Sequence, residues 1–168
     1  TVKRSYYGIN NKRPIYPASI VKLVYAFAVQ EWIRIGRLTL SEEINEATYK
    51  MLFYSSNDAT SFIVDILTGT TSGPSLDEDT WGHWKYQRQL INDWLKSLKW
   101  DELNSMNCCQ KTWEDGPFGR EKDFYGSNNQ NRNSMTTDSA ARIFETIIKH
   151  TKYNDKNINL KDFLKRNL

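Results

Sequence analysis

A chain of 168 residues is long enough for one domain, and a content of 39% hydrophobic and 13% aromatic residues excludes a largely disordered polypeptide. The formal net charge is only +3, and basic residues are mixed with acidic ones, which argues against a nucleic-acid-binding protein. No apolar run approaches the roughly 20 residues that a transmembrane helix requires. The sequence therefore predicts a soluble chain without a membrane-spanning segment.

The first part of the chain is predicted to form three helices. Apolar residues recur at helical spacing over residues 19–36, which end on a glycine suited to stop a helix. A serine followed by two glutamates predicts a second helix over residues 41–54. A third helix is predicted over residues 58–67, with Ser56 or Asn57 as its cap.

Further helices are predicted over residues 81–98, over residues 138–149 after a threonine cap, and from about Leu160. Residues 70–79 are rich in Thr, Ser, Gly and Asp, which indicates a loop. Residues 100–132 lack periodicity and accumulate Gly, Pro, Asn and aromatic residues. This pattern predicts a long ordered loop, and such loops in compact domains are often functional.

The sharpest motif is a serine and a lysine three residues apart at a helix start, Ser19 and Lys22. Because this spacing places both side chains on one helix face, the amine can reach the hydroxyl. Serine is a weak nucleophile until a base accepts its proton, and an amine can do so once burial or nearby charge lowers its pKa. The helix start would also stabilise an oxyanion. An isolated SxxK pattern also arises by chance, with Ser19 as a cap and Lys22 solvated.

A second motif, the triplet Ser55-Ser56-Asn57, lies between the second and third predicted helices. Taken alone, it would be an ordinary helix cap. Together with the SxxK motif, it resembles the serine β-lactamase and penicillin-binding protein superfamily, in which an SxN loop faces the reactive serine. Ser55 matches the serine of that loop and Asn57 its asparagine, whereas Ser56 stands where class A β-lactamases usually have aspartate. Similar sequence at residues 36–40 and 131–141 extends the resemblance over most of the chain.

The resemblance implies a serine hydrolase of β-lactamase type, which hydrolyses β-lactam amide bonds through an acyl-serine intermediate. In this reading Ser19 attacks the carbonyl and Lys22 takes its proton. Ser55 then relays that proton to the leaving nitrogen, while Asn57 orients Lys22 and the substrate amide.

Class A β-lactamases also hold a glutamate in their omega loop that activates the water cleaving the acyl-enzyme. The resemblance places that loop between Trp100 and Arg132 of this chain. Glu114 has the more similar local context and Glu121 the better distance to the next helix, and the sequence does not decide between them. The alternative for each is an exposed loop carboxylate without a catalytic role.

The superfamily fold is α+β, with helices packed on an antiparallel sheet, yet only residues 2–8 of this chain alternate like a strand. The family's Lys-Thr-Gly-like triplet, which lies on a sheet strand, is also absent. We therefore expect residues 1–168 to be a single-domain fragment, itself mainly α. It would form the helical part of a β-lactamase-like catalytic domain whose strands lie mostly outside the chain, and the fragment alone would be catalytically poor.

Two other functions remain open from the sequence: a penicillin-binding D,D-peptidase acting on peptidoglycan stem peptides, and a non-catalytic binding domain that retains the fold. The expected partner is a small β-lactam or a cell-wall peptide, met in the periplasm or elsewhere outside the cytoplasm. No cofactor is implied. His83 and His150 are far apart and give no metal-ligand spacing.

Overall fold

The computed structural model describes residues 7–149 and 158–165. Two short 3-10 turns, at Ala18–Val21 and Asp101–Leu103, accompany the α-helices. The α-helices, in chain order, are α1 (Lys22–Arg34), α2 (Glu42–Phe53), α3 (Asn57–Thr68), α4 (Glu78–Arg88), α5 (Leu90–Ser97), α6 (Gly119–Tyr125), α7 (Thr137–Lys149) and α8 (Leu160–Phe163).

The first three predicted helices are confirmed, and side-chain caps explain where two of them begin. The Ser41 hydroxyl accepts a hydrogen bond from the Ile44 amide at the start of α2. The Ser56 hydroxyl accepts one from the Ala59 amide at the start of α3. Gly69 ends α3 with φ of 67°, a left-handed conformation that costs glycine little.

The prediction of one continuous helix over residues 81–98 is wrong. The structure contains two helices there, and the chain turns between them at Gln89. The turn separates two environments: Arg88, the last residue of α4, is a fully buried ion, whereas Ile91 and Leu95 of α5 lie in the apolar core. Helical periodicity alone did not reveal the break at Gln89.

The long connection between α5 and α7 is held in place by two buried asparagines. Asn133 accepts hydrogen bonds from the amides of Cys109 and Gln110 at 3.0 and 2.9 Å, and donates to the Gln110 carbonyl at 2.9 Å. The Asn92 side chain accepts from the Cys108 amide at 2.7 Å. These bonds satisfy backbone groups that would otherwise be buried without partners, so the segment is ordered as predicted, but it also contains the short helix α6, which the sequence did not predict.

The expected α+β architecture is wrong for the residues that the structure describes. Within residues 7–149 and 158–165 no strand or sheet forms, and the only β-type pairings are isolated antiparallel bridges of Ile15 with Met135 and of Asn107 with Ser134. The sheet was inferred from the resemblance and not from alternating sequence. In the described residues, packing between helices accounts for the burial observed. The strand-like stretch at residues 2–8 lies largely outside the described residues. The mainly helical character expected of the chain itself is observed.

Helix α1 is the centre of the core. Every residue from Val24 to Val29 is fully buried, and α1 packs against α2, α3 and α7. A helix that is apolar on all sides is stable only when other elements surround it. This central helix is 13 residues long, and across the described parts of the chain no helix is both long and apolar enough to cross a membrane.

Candidate active site

Ser19 and Lys22 stand at the start of this central helix. Ser19 lies in the 3-10 turn that leads into α1 and is exposed, whereas Lys22 is the first residue of α1 and only 2% exposed. The Lys22 amine lies 3.2 Å from the Ser19 hydroxyl oxygen. The solvated position considered for Lys22 is therefore excluded, and the helical spacing produces the predicted contact.

The turn between α2 and α3 supplies the other neighbours of this amine. Lys22 Nζ lies 3.0 Å from the Ser55 hydroxyl, 2.6 Å from the Ser55 carbonyl and 2.9 Å from Asn57 Oδ1. The two motifs found in the sequence thus meet at one nitrogen. Both Ser55 and Asn57 are half-buried.

The Lys22 amine has four oxygens within hydrogen-bonding distance. An ammonium group has three hydrogens to donate and accepts none. A neutral amine donates two hydrogens and offers a lone pair, which can accept a hydroxyl hydrogen from Ser19 or Ser55. The arrangement can therefore hold a neutral Lys22 that takes a proton from either serine.

The electrostatics of Lys22 favour that neutral state. Its hydrogen-bond partners are hydroxyl, carbonyl and amide oxygens, none of which carries a charge. Burial lowers the pKa of Lys22 because desolvation penalises the charged amine. The exposed Lys50 shows the opposite behaviour, since its contact with Glu46 at 2.7 Å raises the pKa of that amine.

The backbone is strained at both turns that form the site. Ala18 precedes the serine with φ of 46°, and Ser55 itself has φ of 57°. Neither residue is glycine, so each left-handed conformation costs on the order of 1 kcal/mol or more and persists because the surroundings impose it. Such strain is common at functional sites, and two of the five described non-glycine residues with positive φ belong to this one.

A cavity of about 250 Å³ opens beside these polar groups, and Ser19, Lys22 and Ser55 line one part of it. A second cavity, of about 420 Å³, lies between α2 and α3 and is lined by residues that include Glu43, Glu46 and Asp58. The reactive groups line the smaller cavity and not the larger one.

Neither candidate glutamate shares a hydrogen bond with Lys22. Glu114 is exposed in a bend of the long connection. Glu121 is fully buried in α6, where its carboxylate binds Arg88 at 2.6 Å and accepts from the Ser72 hydroxyl at 2.9 Å. The structure thus gives Glu121 a place in a buried ion cluster, and its predicted role in deacylation has no geometric support.

This ion cluster was not found from the sequence. Lys111 joins it through Asp65 at 2.7 Å and lies 3.6 Å from Glu121, while Arg88 is 3.7 Å from Asp65. Burial raises the pKa of Asp65, although the Lys111 amine opposes the shift. Its members come from α3, α4, α6 and the long connection, so no local sequence motif predicts it. The cluster holds that connection against the helices.

The described parts of the chain contain no group of three or more His, Cys, Asp or Glu side chains that could hold a metal ion. His83 is exposed in α4, and His150 lies outside the described residues.

No protein-family model matches the chain, and no curated protein or solved structure matches it significantly. The likeness to the serine β-lactamase superfamily therefore rests on the motifs and on their geometry alone.

We expect the Lys22 amine to titrate below the ordinary lysine pKa and the Lys50 amine above it. Carbon-13 NMR of the chain labelled at lysine Cε measures both pKa values, and the variant Lys22→Met assigns the Lys22 signal. An unfolded chain keeps the Lys22 proton at pH values where the folded chain has already released it. The free energy of unfolding should therefore rise with pH between the pKa of Lys22 in the folded chain and its pKa in the unfolded chain. A Lys22 amine that titrates with Lys50 would contradict the geometry.

We expect Arg88→Met to lower the free energy of unfolding by about 3 kcal/mol or more, because Glu121 would lose its guanidinium partner while still buried. Urea unfolding followed by circular dichroism measures the change. The double variant with Glu121→Gln should lose less than the sum of the two single variants. The control Lys96→Met, whose pair with Asp93 at 3.7 Å is exposed, should change stability by about 0.5 kcal/mol or less. Equal losses in Arg88→Met and Lys96→Met would refute a structural role for the cluster.

Proposed function

We propose that this protein is a serine hydrolase that forms an acyl-serine intermediate at Ser19. One observation carries the proposal: a buried lysine amine, with uncharged partners, lies 3.2 Å from an exposed serine hydroxyl at a helix start. Nucleophilic catalysis by serine needs a neighbouring base of this kind. The resemblance of both motifs to the serine β-lactamase and penicillin-binding protein superfamily points the same way.

The first step forms the acyl-enzyme. Ser19 Oγ attacks the substrate carbonyl carbon, and its proton passes to neutral Lys22. Because Ser19 stands at the start of α1, the positive end of the helix dipole would stabilise the negative charge that develops on the carbonyl oxygen.

Collapse of this intermediate requires a proton on the leaving group. The Ser55 hydroxyl lies 3.0 Å from the Lys22 amine, so it can pass a hydrogen to the leaving nitrogen while it takes one from Lys22. The carbon–nitrogen bond then breaks, the amine departs, and Lys22 is neutral again. Asn57 Oδ1, 2.9 Å from the amine, keeps Lys22 aimed at both hydroxyls throughout.

Release of the acyl group needs a base that activates water. Glu121 is engaged by Arg88 and Ser72, whereas Lys22 returns to its neutral form beside the ester and is available for this step. A lysine that must serve both steps favours a long-lived acyl-enzyme. This observation supports the second candidate, a penicillin-binding D,D-peptidase, alongside the β-lactamase.

The substrate class rests on the resemblance. It favours the carbonyl of a β-lactam or of a cell-wall stem peptide, met outside the cytoplasm. The two candidates differ in how fast the acyl-enzyme is hydrolysed, because a β-lactamase must turn over.

We expect mass spectrometry to show a covalent penicillin adduct on the wild-type chain and none on Ser19→Ala. Lys22→Met should slow adduct formation by roughly 10²- to 10⁴-fold, the usual loss when a general base is removed. Ser127→Ala, which alters an exposed serine of the long connection, is the matched control and should behave as wild type. An adduct that survives Ser19→Ala would disprove the assignment, as would a folded wild-type chain that forms none.

The lifetime of that adduct separates the two candidates. An adduct that persists, and is unaffected by Glu114→Gln or Glu121→Gln, favours the peptidase. Rapid loss of the adduct that either substitution abolishes favours the β-lactamase and restores that glutamate as the deacylation base.

A further inference from the structure

The cavity beside Ser19 has one polar part and a larger apolar part. Ser19, Lys22 and Ser55 form the polar part. The remaining lining residues are all apolar and come from the start of α1, the end of α2 and the end of α8: Ile20, Leu23, Met51, Leu52 and Leu164.

The apolar side chains are open to solvent where they border the nucleophile. Ile20, the residue after Ser19, is 51% exposed, and Leu23, Leu52 and Leu164 are only half-buried. Apolar surface of this kind gains free energy when another apolar group covers it. Because Ser19 lines the same cavity, an apolar group joined to the carbonyl that Ser19 attacks can cover this surface.

We propose that this cavity binds the apolar acyl group of the substrate, so that Ser19 accepts medium-length acyl chains from esters or amides in preference to short ones. The inference rests on the proposed acylation of Ser19 and names the part of the substrate that the enzyme recognises.

The dimensions and the charge of the cavity support an uncharged acyl chain. A volume of about 250 Å³ has room for about eight groups of the size of a water molecule, each of roughly 30 Å³. A six-carbon acyl chain fits that space. Among the described residues that line the cavity, Lys22 is the only ionisable group, and it sits at the polar end with the reacting atoms.

The larger cavity between α2 and α3 does not compete for this role. Glu43, Glu46 and Asp58 among its lining side chains are carboxylates, which do not favour an apolar chain. Ser19 is not part of its lining.

The test compares p-nitrophenyl acetate with p-nitrophenyl hexanoate. In each reaction Ser19 Oγ forms a bond to the acyl carbon, its proton passes to Lys22, the ester carbon–oxygen bond breaks, and p-nitrophenolate leaves and is measured as a burst of absorbance. The wild-type chain should be acylated by the hexanoate at least about tenfold faster, since each methylene placed in an apolar pocket improves transition-state binding.

Two variants probe the pocket through lining residues from different parts of the chain. Leu52→Ser and Leu164→Ser should each reduce the preference for hexanoate several-fold, measured as the ratio of the acylation rates with hexanoate and acetate. The matched control is Leu98→Ser, which alters another half-buried leucine that packs on the core away from this cavity; it should keep the wild-type preference. Two variants from different helices guard against loss of folding in one of them.

Equal acylation rates with acetate and hexanoate would overturn the pocket assignment, as would a preference that both leucine variants retain. Either result leaves the acylation of Ser19 intact. Absence of a burst with both esters, or a burst that survives Ser19→Ala, would overturn the acylation itself and the pocket assignment with it.

Discussion

The buried amine of Lys22 joins the two parts of the chain on which the proposed chemistry depends. Its contacts run from Ser19 at the start of α1 to Ser55 and Asn57 in the turn between α2 and α3. A carboxylate partner would stabilise the charged amine and make it a poor base, whereas neutral oxygens leave burial to lower its pKa. The same contacts hold the amine in place, so it can exchange a proton without a large rearrangement.

The fold provides the rigidity that this arrangement requires. Helix α1 is fully buried from Val24 to Val29, and the segment before it is fixed by paired backbone hydrogen bonds of 2.9 Å between Ile15 and Met135. Positive φ angles at Ala18 and Ser55 are tolerated because these surroundings leave the backbone little alternative. Strain at both turns is thus balanced by packing elsewhere, as is common where side chains must be held for chemistry.

Sequence patterns among neighbouring residues predicted more of this structure than relations between distant residues did. Periodicity and caps located α2 and α3, and three-residue spacing placed Lys22 against Ser19, because these relations depend on neighbouring residues. The approach of Asn57 to Lys22 was expected only through a resemblance. The pairing of Arg88 with Glu121 joins distant residues and left no sequence signal, so Glu121 was considered only as a deacylation base or as an exposed loop carboxylate. The sheet was expected through the resemblance as well, and the described residues do not form one.

The pH dependence of acylation tests the role of Lys22 most directly. Single-turnover rates measured with p-nitrophenyl hexanoate should rise with pH to a plateau, with the midpoint at the pKa that NMR assigns to the Lys22 amine, because only the neutral amine can take the Ser19 proton. Lys22→Met should remove that rise and leave a slow residual rate. Two results would show that another group is the base: a pH–rate profile of Lys22→Met that keeps the wild-type midpoint, or a wild-type midpoint that differs from the pKa of Lys22.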